Sequence, residues 1–261
     1  MSIEDINQPP TPEKQGKELL DPRVFKNPSI SPENLGPLSD KVATLESLIP
    51  GIKMNGIISL EHFTDDIYSI RQKYESRVLE GHSLEIPFST DALEFLTNLA
   101  KTDIKSFEEI KQKFQDVVIV DCGAGGSYAN YSSTGYQIAC LLKAKGYIGV
   151  EPFNFPMLYR GFLTQEEVEE ETPIPFNLVA EDGLTFLRRL PDNSVSLFSF
   201  GLDSSILPNE SYTSDLAQEM TRVLKDKHLC IASNSVLPEN VAEVSKHPRP
   251  FGGGMVRIMQ K

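Results

Sequence analysis

The sequence predicts a doubly wound, mostly parallel α/β sheet preceded by an N-terminal helical extension, and three observations predict it. The run Val117-Val118-Ile119-Val120 is wholly β-branched, the texture of a strand buried on both faces. Short apolar strands follow it, alternating with amphipathic helical segments, which is the pattern of parallel crossovers. Ahead of residue 115 the periodicity is helical only, and ahead of that the chain is rich in proline.

The elements follow in order. Pro9, Pro10, Pro12, Pro22, Pro28, Pro32, Pro37 and Pro50 crowd the first 50 residues. Proline lacks a backbone donor and interrupts helices, so residues 1–40 read as an extended, partly disordered arm. From 41 to 114, Leu60, Phe63, Ile67 and Ile70, then Leu93, Leu96 and Leu99, then Phe107, Ile110 and Phe114 recur at helical spacings, predicting a helical cap. Residues 115–261 form the α/β domain. Its strands are expected at 117–120, 147–150, 177–180, 195–200, 229–232 and 255–259, with helices at 138–145, 184–190 and 214–224.

Bulk properties narrow the partners. The 261 residues carry a formal net charge of −12 and no Lys/Arg cluster. A phosphate backbone needs several cations on one face, so nucleic acid is not the expected partner. Met1 to Pro10 has neither a basic start nor an apolar run, and no segment approaches the ~20 apolar residues that span a bilayer. Cys122, Cys140 and Cys230 are widely spaced and read as buried thiols of a reducing compartment. A cytoplasmic location without membrane attachment is therefore expected.

In doubly wound sheets, ligands sit beyond the carboxyl ends of the strands. The first strand runs into Asp121-Cys122-Gly123-Ala124-Gly125, where glycines permit a sharp turn and close approach of a ligand to the backbone. Asp121 argues against a phosphate there and for a cationic group. Glu151 ends the second strand, where a carboxylate can accept from both hydroxyls of a ribose. Asp182 follows the third strand. It has two readings, acceptor for the amine of adenine or simple helix N-cap. Asp203, after the fourth strand, is the candidate substrate contact.

Together these residues resemble the class I S-adenosylmethionine-dependent methyltransferases over roughly Asp116 to Ser233. The resemblance rests on Asp121-x-Gly123-x-Gly125, Glu151, Asp182, Leu190-Pro191-Asp192-Asn193-Ser194-Val195 and the helix Leu216 to Lys225. It implies a Rossmann-like fold and a bound S-adenosylmethionine. Asp121, Gly123 and Gly125 would hold the methionine and ribose part, Glu151 the ribose hydroxyls and Asp182 the adenine. The activity implied is methyl transfer to a small molecule or a protein. Lack of an Asn/Asp-Pro-Pro-aromatic signature argues against nucleic-acid base or glutamine methylation.

Three departures accompany the resemblance. The segment Ser127–Gly135, with Tyr128, Asn130 and Tyr131, is longer than the family's tight turn. Thr164–Thr172 holds five glutamates and reads as a solvated insertion. A single strand, 255–259, follows the fifth, where the family closes its sheet with an antiparallel pair, so an abbreviated edge is expected. Two other functions remain open: a non-catalytic protein retaining the fold, and a NAD(P)-binding oxidoreductase. Tyr128 stands where the dinucleotide fingerprint needs its third glycine, and Glu151 lies 30 residues (151 − 121) past Asp121 rather than about 20. Among the histidines, His228 reads as structural, His247 as part of a loop near the site, and His62 and His82 as carrying no partner signal.

Overall fold

The computed structural model describes residues 36–53, 88–124, 134–151, 173–179, 181–200, 210–233, 236–248 and 255–261. The glutamate-rich insertion, Gly125, Asp203, the helical pattern at 60–70, His62, His82 and most of the Ser127–Gly135 segment lie outside them.

Among the described residues, seven strands form one sheet: β1 (Val118–Cys122), β2 (Gly146–Val150), β3 (Phe176–Val179), β4 (Val195–Ser199), β5 (Leu229–Ser233), β6 (Ala242–Pro248) and β7 (Met255–Gln260). Their order is β3-β2-β1-β4-β5-β7-β6. β1 to β5 are parallel, while β7 is antiparallel to both β5 and β6. The order reverses between β1 and β4, so the crevice of this sheet opens beside the carboxyl end of β1.

The expected abbreviated edge is not found, because β6 supplies the second member of the antiparallel pair. It escaped the sequence reading for a physical reason. An edge strand faces water, so Glu243, Val244 and Lys246 are exposed and show no apolar alternation. A register shift between Glu243 and Ser245 further blurs the period. His247 accordingly stands in a strand and not in a loop.

The described helices are α1 (Leu45–Leu48), α2 (Phe88–Thr102), α3 (Ile104–Gln112), α4 (Thr134–Leu141), α5 (Gly183–Arg189) and α6 (Glu210–Val223). Alternation along the strands sends side chains to two cores. On one face, Ile119, Tyr147, Phe176, Phe198 and Ile231 pack with Leu96 of α2, Phe107 of α3 and Ile138 of α4. On the other, Val118, Val120, Ile148, Leu197 and Cys230 pack with Leu187 of α5 and Met220 of α6. Leu96, Phe114, Ile119 and Phe198 are fully buried, each contributing roughly 1.5–3 kcal/mol. All three cysteines are buried thiols outside any disulfide.

The chain is ordered into the core before residue 41. Gly36–Lys41 is a 3₁₀ helix, and Leu38 is only 4% exposed within the α2 and α4 core. The following residues line the outer edge of β3. Val42 bridges Phe176, the Ala43 N–H donates to the Phe176 carbonyl, and the Asn177 side-chain amide donates to the Ala43 carbonyl. The segment ends with Lys53 and Arg189 bonded reciprocally: the Lys53 N–H donates to the Arg189 carbonyl and Arg189 Nε to the Lys53 carbonyl. Among the described residues, no helix is long and apolar enough to cross a membrane.

Candidate functional site

Parallel register brings the carboxyl ends of β1, β2 and β3 to one level. Cys122 pairs with Val150 and Val150 with Val179, so Gly123, Glu151 and Asp182 emerge side by side. Beyond β3 the chain turns back toward β1, so that a Cβ on Gly183 would lie 3.5 Å from Cys122 Cβ. Asp121, Glu151 and Asp182 are 2%, 6% and 6% exposed. Buried acids of this kind need donors or a ligand to offset lost hydration.

Gly123 has φ +75°, a left-handed conformation that strains residues bearing a Cβ. Its N–H and that of Ala124 both donate to the Val150 carbonyl, folding the start of the loop onto the end of β2.

Asp121 shares the face of Ile119 and turns its carboxylate under the first turn of α4. The Tyr147 hydroxyl donates to Oδ2 at 2.9 Å, and Oδ1 is buried with no hydrogen-bond partner. Burial raises its pKa to about 7; the Tyr147 bond opposes that and the nearby Glu151 charge adds to it. The tyrosine pays a mirror effect, its own hydroxyl held firmly protonated by burial beside the acid. Gly135 makes this packing possible, because a Cβ there would overlap Oδ2 and lie 2.8 Å from the Tyr147 hydroxyl.

Asp182 is the N-cap of α5, its Oδ1 accepting from the Thr185 N–H at 3.0 Å. The Tyr212 hydroxyl of α6 donates to the same oxygen at 3.1 Å. Both sequence readings of Asp182 are thus compatible, since both bonds fall on Oδ1. The neighbouring Glu181 pairs with Arg189, both side chains largely buried.

Tyr147, Gly135 and Tyr212 were not singled out by sequence. Tyr147 carries a faint signal, sharing the period-two face of Glu151 on β2. The other two act across the fold and leave no local trace.

His228 lies buried at the opposite, amino-terminal edge of the sheet, 3.6 Å from Asp116. His247 stands at the carboxyl edge because β6 runs with β5, but on the edge strand, with β4, β5 and β7 between it and β1. Its ring stacks on Phe95 of α2 with centroids 3.9 Å apart, and Ser245 Oγ lies 2.9 Å from Nε2.

No protein-family model matches the chain. No curated protein matches it either. Among solved structures it is similar to the 1,6-didemethyltoxoflavin-N1-methyltransferase of Burkholderia thailandensis, solved with bound 1,6-didemethyltoxoflavin and S-adenosylhomocysteine. The identity is 14% over 76% of this chain and 89% of that one, with TM-score 0.46. A methyltransferase candidate from Streptococcus mutans, in complex with S-adenosylhomocysteine, shares 9% over 60% and 96%, with TM-score 0.39. A methyltransferase candidate from Escherichia coli, yhhF, shares 16% over 62% and 84%, with TM-score 0.42. The sheet itself fixes the class: five parallel strands reversing order at β1/β4 and closed by an antiparallel pair. The chain has the Rossmann-like fold of the class I S-adenosylmethionine-dependent methyltransferases, which it resembles in motif as well as in topology.

Proposed function

We propose that the protein is an S-adenosylmethionine-dependent methyltransferase acting on a small molecule or a protein. The observation that carries this reading is the row of buried acids at the ends of three adjacent strands, beside a glycine turn. Glu151 accepts from the ribose hydroxyls and Asp182 from the adenine amine. The partnerless Oδ1 of Asp121 is where a cationic group gains most, since burial without a donor is costly. Gly123, with Gly125 beyond it in sequence, brings the backbone close to the ligand. When bound, the cofactor supplies a methyl group on a sulfonium that is its own leaving group, so the protein's work is to orient and desolvate. Asp203 is the candidate contact to the acceptor.

Thermal melts with S-adenosylhomocysteine and with NAD test the reading. At ligand about 100-fold above Kd, stabilisation of roughly 2.7 kcal/mol is expected with S-adenosylhomocysteine and none with NAD. A rise with NAD alone would overturn it. Glu151→Ala is expected to weaken S-adenosylhomocysteine binding about 10- to 150-fold, because bonds to a charged acceptor contribute ~1.5–3 kcal/mol. Calorimetry showing unchanged affinity would reduce Glu151 to a strand terminus.

A further inference from the structure

Asp182 could satisfy its helix cap without Tyr212, since the Thr185 N–H already occupies Oδ1. The second bond ties the first turn of α6 to the first turn of α5. The Tyr212 ring packs against the core on that side of the sheet. A carboxylate oxygen only accepts, so the single phenol proton goes to Asp182.

The geometry points to Tyr212 as a positioning residue for base recognition: with Oδ1 held by two donors, Asp182 offers Oδ2 to an exocyclic amine and rejects an oxo group. Turning the carboxylate out of this plane would break the Tyr212 and Thr185 bonds together. Burial beside Asp182 keeps the phenol protonated, so it stays a donor to Oδ1. An amine at position 6 of the purine then finds an acceptor, whereas a 6-oxo group meets an oxygen with no proton between them. Sites built this way reject the wrong partner strongly, because a buried polar group is left unpaired.

The inference rests on the S-adenosylmethionine reading of the site, and one calorimetric series separates the two. The full chain is titrated with S-adenosylhomocysteine and with S-inosylhomocysteine, its 6-oxo counterpart. The wild type is expected to favour the adenine form by at least about 100-fold. Tyr212→Phe keeps the ring and is expected to lose about 3- to 10-fold in adenine-form affinity, narrowing the preference by a similar factor. Asp182→Asn should collapse the preference, and adding Tyr212→Phe to it should cost nothing more, because Tyr212 acts through Asp182. If Tyr212→Phe does not fold, Tyr212→Met fills the space without an oxygen and gives the same comparison. An unchanged preference in the Tyr212 variant, or additive losses in the double variant, overturns the inference alone. A wild type that binds neither compound overturns the methyltransferase reading with it.

Discussion

Gly135→Ala is expected to destabilise the protein by about 3 kcal/mol, the upper part of the range for overpacking a buried site. Alanine would ordinarily help here, since it exceeds glycine in helix propensity by up to ~1 kcal/mol. Packing wins because the new methyl would overlap Asp121 Oδ2 and lie 2.8 Å from the Tyr147 hydroxyl. Neither neighbour can retreat: Asp121 is 2% exposed and Tyr147 is fully buried. Relief must therefore come from α4 lifting off the sheet. Denaturant melts check the loss, and the Asp121→Ala background checks its cause. With the carboxylate gone, the added methyl should cost much less, giving a coupling on the order of 2 kcal/mol. A full-size loss in both backgrounds would show that the methyl clashes elsewhere.

Asp121→Asn is expected to remove a pH dependence on the order of 4 kcal/mol. The carboxyl has a folded pKa of about 7, against roughly 3.9 when unfolded. Between those values the folded state binds more protons than the unfolded one, so stability falls as pH rises from about 4 to 7 and levels off above. About three units at 1.36 kcal/mol each give the total. Asparagine carries no charge to bury and still accepts from Tyr147. Its amide protons meet the partnerless side where Oδ1 now lies, a fixed cost of ~1–3 kcal/mol. The variant should accordingly be weaker than wild type near pH 4 and gain steadily on it up to about pH 7. Parallel stability profiles for the two proteins would show that Asp121 does not titrate in this range.

The sequence reached the candidate site through three acids and a glycine. Asp121, Glu151 and Asp182 each end an apolar run that only a buried strand explains, and Gly123 precedes a turn that needs its freedom. Strand position and chemistry are both local, so both could be read. Orientation could not. Asp121 is equally compatible, by sequence, with facing a ligand or facing a helix, and packing beneath Gly135 put one oxygen against Tyr147. Asp182 was balanced between cap and ligand contact until Tyr212 showed both bonds gathered on one oxygen.

By itself, the sequence determined the parallel order of alternation, the buried strands β1, β2, β4 and β5, the helices that cover them, and the acids at their ends. These follow from hydrophobic period and chain polarity, which are properties of neighbouring residues. Only the tertiary structure decided that β6 pairs with β7, that Leu38 enters the core, and that Tyr147 and Tyr212 hold the site acids from 26 and 30 residues away. A polar edge strand has no apolar signature because one side of it faces water. A hydrogen bond across the sheet has none because its partners share no neighbourhood until the fold brings them together.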